Sequence, residues 1–288
     1  MILQEYYTLA NGVEIPRLGL GTWFINDGAV ARAVNDAVKL GYRHIDTAQA
    51  YQNERGVGEG IRGCGVAREE LFVTTKLAAE IKSYDEATAS IEQSIQTLGL
   101  DYIDLMIIHS PKPWRQYHLD DPCFEGNRQA WRALEDAYKA GKLRAIGLSN
   151  FVQTDLDNIL ASCTVTPMVN QILVHISNTP MELIGYAQDK GMVVEAYSPI
   201  AHGELTKNEK VAEIAKQYGV SVPQLSIRYC LELGLLPLPK TADPTHMKDN
   251  AAVDFVITPQ DMEILKGIDK IKDYGEFSNF PVFGGELR

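Results

Sequence analysis

The chain of 288 residues is 45% hydrophobic and 23% charged. A folded chain of this length buries roughly three quarters of the surface that its unfolded form exposes. The net charge of −11 argues against nucleic acid or an anionic membrane as the main binding partner, although an anionic cofactor needs only a local basic group.

The first predicted element is a β-hairpin in the segment YTLANGVEIPRL, residues 7–18. The Asn11-Gly12 pair at its centre favours a type I′ turn, because both residue types tolerate positive φ angles. After the hairpin, short runs of β-forming residues alternate with stretches of helical length. Eight runs are predicted as strands: residues 18–21, 44–46, 71–76, 103–109, 145–148, 168–171, 193–197 and 235–239.

The intervening helices carry start and stop signals. The start signals are capping boxes or Thr-Pro pairs, and they place helix caps at Ser83, Thr179, Ser221 and Thr258. The stop signals are glycines: Gly41, Gly99, Gly141 and Gly191. Eight strands with following helices predict one domain over residues 1–288, a (β/α)8 TIM barrel with an N-terminal β-hairpin and a C-terminal helix and loop. A doubly wound open sheet is the alternative.

Ionisable side chains stand at the ends of three consecutive predicted strands. Asp46 ends the second strand and Tyr51 follows shortly after it, while Lys76 ends the third strand and His109 the fourth. The carboxyl ends of barrel strands line the active site. Taken singly, these residues have structural explanations, such as a solvated lysine, a hydrogen-bonded histidine or a Tyr–Asp pair.

Taken together, the four side chains are suited to donating a proton to a carbonyl group. A phenol has a pKa near 10 and is a weak acid at neutral pH. A Lys76 ammonium about 4 Å from Tyr51 would be worth roughly 4 kcal/mol and would lower the pKa of the phenol by up to about 3 units. Asp46 would keep Lys76 charged, and His109 would orient the substrate oxygen or relay the proton.

Six segments strongly resemble the aldo-keto reductases. They occur in the family's order within residues 18–250: GYRHIDTAQAYQNE, LFVTTK, DYIDLMIIHSP, IGLSNF, VEAYSPIAHGEL and LPLPKTADPTHMKDN. The combination is specific, although no single segment is. Within the family, the chain resembles a bacterial member similar to the diketogluconate and methylglyoxal reductases. The resemblance implies NAD(P)H-dependent reduction of aldehydes and ketones by a tetrad of Asp46, Tyr51, Lys76 and His109, with Tyr51 as the general acid.

No dinucleotide fingerprint of the Rossmann type is present, since Gly19-Leu-Gly21 lacks a third glycine and the glycines of residues 56–60 lie in a helical pattern. The resemblance implies that the cofactor lies extended across the barrel mouth. It assigns Gly21, Thr22, Trp23 and Asp46 to the nicotinamide region, Ser149, Asn150 and Gln171 to the carboxamide, Tyr197 to stacking on the ring, and Ser198 to Leu205 to the pyrophosphate. The structural alternatives are a helix cap for Ser149-Asn150 and core packing for Tyr197.

The segment KTADPTHMKDN is implied to bind the adenosine end of the cofactor, through Lys240, Thr241, His246 and Asn250. The family often has arginine where His246 stands, and arginine forms charged bidentate contacts with phosphate. Histidine is mostly neutral at pH 7 to 8. We therefore expect NADPH to be the preferred cofactor and NADH to be used as well.

Trp23, His109 and Trp114 are implied to contact the substrate. The polar side chains of Asn26, Lys112 and His202 would favour oxygenated or acidic carbonyl compounds. The short tail after residue 267 is predicted to lie over one face as a loop and to leave an open cavity.

Two other functions fit parts of the pattern. One is a cofactor-binding regulatory subunit on the same barrel, like the β-subunits of some potassium channels, although a complete tetrad favours turnover. The other is a metal-dependent lyase or isomerase, for which Glu195 and His109 are too few ligands, so no metal site is predicted. The first residues lack the features of a signal peptide, no apolar run reaches the roughly 18 residues of a membrane span, and the four cysteines are scattered. These features predict a cytoplasmic protein, with a monomer as the default state.

Overall fold

The computed structural model describes residues 1–287, and this part of the chain contains ten β-strands and ten α-helices. The first two strands, β1 (Tyr6–Thr8) and β2 (Glu14–Pro16), pair antiparallel and confirm the hairpin. The predicted type I′ turn is wrong. The N–H of Leu9 donates to the carbonyl of Val13 at 2.8 Å, and only Gly12 in this loop has a positive φ angle, of 84°. The loop is therefore a three-residue turn that ends in a left-handed glycine.

The side chain of Asn11 explains why the shorter turn does not form. A type I′ turn needs positive φ at both central residues. Asn11 instead donates through Nδ2 to the carbonyl of Arg144 at 2.9 Å and accepts from the N–H of Val13 at 3.2 Å. The bond to Arg144 ties the hairpin to the rest of the fold.

The remaining eight strands form one parallel sheet in chain order, as predicted for the barrel. They are β3 (Leu20–Gly21), β4 (His44–Asp46), β5 (Phe72–Leu77), β6 (Ile103–Ile108), β7 (Leu143–Ser149), β8 (Val169–Leu173), β9 (Val193–Tyr197) and β10 (Leu236–Leu238). The first and last of them meet, because Gly21 bridges Lys240 and the N–H of Gly19 donates to the carbonyl of Pro237 at 3.2 Å. This closure confirms the (β/α)8 barrel and excludes the open sheet.

Helices follow each barrel strand, and two helices follow each of β9 and β10. They are α1 (Asp27–Lys39), α2 (Glu54–Gly63), α3 (Tyr84–Leu98), α4 (Phe124–Lys139), α5 (Gln153–Leu160), α6 (Met181–Asp189), α7 (Glu209–Gln217), α8 (Val222–Glu232), α9 (Pro244–Ala251) and α10 (Pro259–Lys266). The predicted caps Ser83, Ser221 and Thr258 each accept a bond from the first turn of their helix. The four predicted stop glycines all have positive φ angles.

The predicted cap at Thr179 is wrong. Helix α6 begins at Met181, with Pro180 as the residue before it. The hydroxyl of Thr179 instead donates to the carbonyl of His175 at 3.1 Å and lies 2.8 Å from the hydroxyl of Tyr229. A tertiary contact with helix α8 has replaced the local cap.

The hairpin closes one end of the barrel. Leu9 and Ile15 are buried in one cluster with Phe72, Leu105 and Leu236, which lie near the starts of their strands. The opposite end, where the strands finish, remains available for a site.

The glycines of residues 56–60 are packing positions in α2. A Cβ atom at Gly58 would lie 1.9 Å from the carbonyl oxygen of Leu98 at the end of α3. We expect Gly58→Ala to lower the free energy of unfolding by about 1–3 kcal/mol, because the helices must separate. Gly63→Ala in the same helix meets nothing within 4 Å and should raise it by about 0.5–1 kcal/mol. Urea denaturation of both variants tests this, and equal stabilities would contradict the close packing.

Candidate active site

Lys76 is the centre of a hydrogen-bonded group at the carboxyl end of the barrel. Asp46 ends β4, and the neighbouring strand β5 carries Lys76. The Lys76 ammonium donates to Asp46 Oδ1 at 2.6 Å, to the carbonyl of Thr47 at 2.9 Å and to the hydroxyl oxygen of Tyr51 at 3.1 Å. An ammonium has three N–H donors, so all three are used. The Tyr51 oxygen accepts from Lys76, which leaves its own proton free to be donated elsewhere.

The pKa of Tyr51 departs from the sequence prediction, whereas the charge of Lys76 agrees with it. Burial lowers the pKa of Lys76, but the Asp46 carboxylate and the Tyr51 oxygen raise it by more, so Lys76 stays charged. Burial raises the pKa of the Tyr51 phenol by more than the Lys76 ammonium lowers it. The expected net lowering of the phenol pKa is therefore wrong for this site. Lys76 makes Tyr51 more acidic only relative to a site that lacks the ammonium.

The turn that carries Tyr51 is held by Gln49, a residue that the sequence analysis missed. Gln49 Nε2 donates to the hydroxyls of Ser90 and Ser94 on α3, both at 2.8 Å, and its Oε1 accepts from the N–H of Ala78 at 2.8 Å. These bonds connect the Tyr51 turn to the end of the strand that carries Lys76. No local pattern indicates them, because the partners are 29 to 45 residues away.

His109 follows β6 and faces the same group. Its ring centroid lies 5.8 Å from that of Tyr51 and 5.1 Å from that of Trp114. Burial, together with the nearby Lys76 charge, lowers the pKa of His109 well below its usual value. The imidazole is therefore neutral at physiological pH and offers one N–H donor and one acceptor.

A cavity of about 600 Å³ opens above these residues. The residues that line it include most of the predicted site: Gly21, Trp23, Asp46, Tyr51, His109, Trp114, Ser149, Asn150, Gln171, Tyr197, Ser198, Lys240 and His246. Several predicted cofactor residues do not line it, and their contacts stay predictions: Thr22, Thr241, Asn250 and, within the segment from Ser198 to Leu205, Ala201, Glu204 and Leu205. The hydroxyl of Thr22 points instead to the carbonyl of Asp46 at 2.9 Å.

The polar groups beside Tyr51 suit an amide-bearing ring. Asn150 Oδ1 accepts from the Tyr197 hydroxyl at 2.7 Å, and Asn150 Nδ2 donates to the carbonyl of His109 at 2.9 Å. Gln171 Nε2 donates to Asp46 Oδ2 at 3.0 Å, and Gln171 Oε1 has no partner within residues 1–287. This free acceptor, next to the aromatic face of Tyr197, fits the carboxamide of a nicotinamide.

The far end of the cavity carries Lys240 and an exposed His246. Helix α9 begins beside them, and its cap Asp243 accepts from the N–H of Thr245 at 2.8 Å. A carboxylate thus occupies a helix N-terminus that would otherwise favour phosphate.

The tail forms part of the cavity wall, which the sequence analysis did not predict. Phe277 and Phe280 pack on Trp23 with ring centroids 5.9 and 5.0 Å apart, and three further tail residues line the cavity: Pro281, Val282 and Leu287. The aromatic density of the segment FSNFPVF was the available signal. Of the three polar residues expected to favour oxygenated substrates, only His202 lines the cavity.

Other kinds of site find little support in the described residues. No three His, Cys, Asp or Glu side chains of residues 1–287 converge as metal ligands would. Across the same residues, each helix is too short or too polar to cross a membrane.

Comparison with known proteins connects this site to a family. A profile described as the Aldo/keto reductase family matches residues 17–270. A glyoxal reductase of Bacillus subtilis is 40% identical over 275 residues, which cover 95% of this chain and 96% of the relative. The crystal structure of an aldo/keto reductase from Brucella melitensis has a TM-score of 0.86 at 34% identity and covers 93% of this chain and 99% of its own. That of a Bombyx mori aldo-keto reductase in complex with NADP has a TM-score of 0.84 at 32% identity, with 96% of both chains covered. The chain therefore belongs to the aldo/keto reductase family of NAD(P)H-dependent oxidoreductases.

Proposed function

We propose that the protein reduces aldehydes and ketones to alcohols, with Tyr51 as the general acid and NADPH as the main cofactor. The observation that carries this proposal is the Lys76 ammonium, whose three N–H groups are all used and one of which points at the Tyr51 oxygen. A bound nicotinamide would supply the hydride. A regulatory subunit that binds the cofactor without turnover would not need this arrangement.

Tyr51, Asp46 and His109 have different roles in the proton transfer. The free O–H of Tyr51 gives its proton to the carbonyl oxygen, and the phenolate that remains lies 3.1 Å from a fixed positive charge. Asp46 balances that charge within the buried site. His109 is neutral, so it can donate an N–H to the carbonyl oxygen without competing for the proton.

The cavity wall suggests which carbonyl compounds fit. Its substrate end is aromatic, with Trp23, Phe24, Trp114, Phe277 and Phe280, which favours aldehydes and ketones with apolar or aromatic substituents. The name of the Bacillus subtilis relative adds small dicarbonyls such as glyoxal to the candidates. Oxidation of NADPH should be measured with methylglyoxal, aryl aldehydes, keto esters and keto-sugar acids. Failure of all four classes to consume NADPH would overturn the proposed function.

The choice between NADPH and NADH should depend on His246. We expect the parent protein to prefer NADPH and to turn over NADH measurably, because Lys240 alone supplies a permanent charge for a 2′-phosphate. His246→Arg adds a charged hydrogen bond, and the ratio of kcat/KM for NADPH to that for NADH should rise by about 10- to 100-fold. His246→Gln, which adds no charge, is the control. An unchanged ratio in the arginine variant would show that position 246 does not reach the phosphate.

The setting of the enzyme is also part of the proposal. All four cysteines are free in the structure, as is usual in a reducing compartment, and we place the protein in the cytoplasm as a monomer. The proposed binding partner is a small carbonyl compound and not a nucleic acid. Sedimentation analysis measures the oligomeric state.

A further inference from the structure

A second carboxylic acid lies inside the barrel below the cavity. Glu195 is on β9, its side chain is 0% exposed, and it is not part of the cavity wall. It stands opposite Gln171 in the register of β8 and β9. Glu195 Oε2 accepts from Gln171 Nε2 at 2.6 Å, while Glu195 Oε1 has no partner and lies 4.0 Å from His44 Nε2.

The Gln171 amide is therefore held from two sides. Its Nε2 donates to Asp46 Oδ2 at 3.0 Å and to Glu195 Oε2 at 2.6 Å. A glutamine amide has two N–H donors and one carbonyl oxygen, so both donors are used. Turning the amide over would place its oxygen against the Asp46 carboxylate and would remove the two N–H bonds to Asp46 and Glu195. The orientation with Gln171 Oε1 turned away from the two acids is thus the stable one.

We propose that Glu195 is a positioning residue for the reaction. It fixes the Gln171 amide so that Oε1 is presented as an acceptor to the carboxamide NH2 of a nicotinamide cofactor. The inference rests on the proposed function, because it needs that cofactor in the cavity. Glu195 also connects the cofactor contacts to the catalytic group, since Gln171 bonds to Asp46, and Asp46 bonds to Lys76.

The charges around Glu195 are consistent with this role. Asp46 and His44 face it from β4, and Lys76 lies nearby on β5. Burial and the Asp46 carboxylate raise the pKa of Glu195 to about 8, and burial and Lys76 lower the pKa of His44 to about 3. At neutral pH, Glu195 therefore holds a proton, and its unpartnered Oε1 is the oxygen available to carry it. Oε2 remains an acceptor for Gln171, and Asp46 remains the only counter-charge to Lys76.

The test compares Glu195→Met, which keeps the length of the side chain but removes the acceptor, with Glu195→Gln, which retains one. Binding is measured at neutral pH by quenching of tryptophan fluorescence. The probes are NADP+, its 3-acetylpyridine analogue, which has a methyl group in place of the carboxamide NH2, and 2′,5′-ADP, which has no nicotinamide.

We expect Glu195→Met to weaken NADP+ binding by about tenfold and to leave the analogue and 2′,5′-ADP unaffected. Glu195→Gln should bind NADP+ like the parent. Equal losses for NADP+ and the analogue, or a glutamine variant as weak as the methionine variant, would show that Glu195 does not act through the orientation of the Gln171 amide. If Glu195→Met does not fold, Glu195→Val also lacks the acceptor and is judged by the same outcomes. A parent protein that binds none of the probes would refute the proposed function itself, which separates the two failures.

Discussion

Tyr51→Phe should lower kcat/KM for carbonyl reduction by roughly 30- to 5000-fold, which corresponds to about 2–5 kcal/mol of transition-state stabilisation. The phenol is the acid whose oxygen is already held by Lys76 and whose proton is free. Phenylalanine keeps the ring in place but removes the proton donor. Steady-state rates with NADPH and the best carbonyl substrate of the panel give the ratio.

Two controls separate lost chemistry from lost structure. NADPH affinity, measured by quenching of Trp23 and Trp114 on the cavity wall, should barely change in Tyr51→Phe. Tyr229→Phe removes another buried phenol hydroxyl, one that bonds Thr179, and neither of these residues lines the cavity, so this variant should leave the rate intact. Near-normal turnover in Tyr51→Phe would remove Tyr51 from the role of general acid.

Much of the site was predictable because its residues lie at the ends of strands that can be recognised in the local sequence. Asp46, Lys76 and His109 each end a short apolar run, and the barrel rule brings such ends to one mouth. Chain order alone then brings the strands together, since each barrel strand pairs with its neighbour in sequence. Helix caps at Ser221 and Thr258 were predictable for the same reason, because both partners lie within one turn.

Features that depend on tertiary contacts were not predictable. The direction of the Tyr51 pKa shift depends on how far burial outweighs Lys76, and burial cannot be obtained from spacing. The role of Glu195 could not be predicted from the sequence, because it depends on the pairing of β8 with β9 that places Glu195 opposite Gln171. Thr179 carries a good capping signal, but a bond to Tyr229 on another helix overrides it.

Lys76→Met should change both the rate and its dependence on pH. Reduction requires a protonated phenol, so activity falls as the pH rises through the pKa of Tyr51. Lys76 lowers that pKa relative to an uncharged neighbour, and its removal should move the basic limb of the profile to higher pH. The rate on the acidic side should fall by about 100-fold, because the phenol is then a weaker acid and its phenolate lacks a neighbouring charge.

Lys76→Met also leaves the Asp46 carboxylate, which is 3% exposed, without its ion-pair partner. Breaking a buried ion pair in this way lowers the free energy of unfolding by about 3–5 kcal/mol, so a loss of rate alone would be ambiguous. Asp46→Asn/Lys76→Met removes both charges, and the amide introduced at position 46 would still have an oxygen to accept from Gln171. The double variant should regain most of the stability in a denaturant titration while its basic limb stays at high pH. If the pH profile returned to that of the parent together with the stability, Lys76 would be a structural partner of Asp46 and not the residue that sets the acidity of Tyr51.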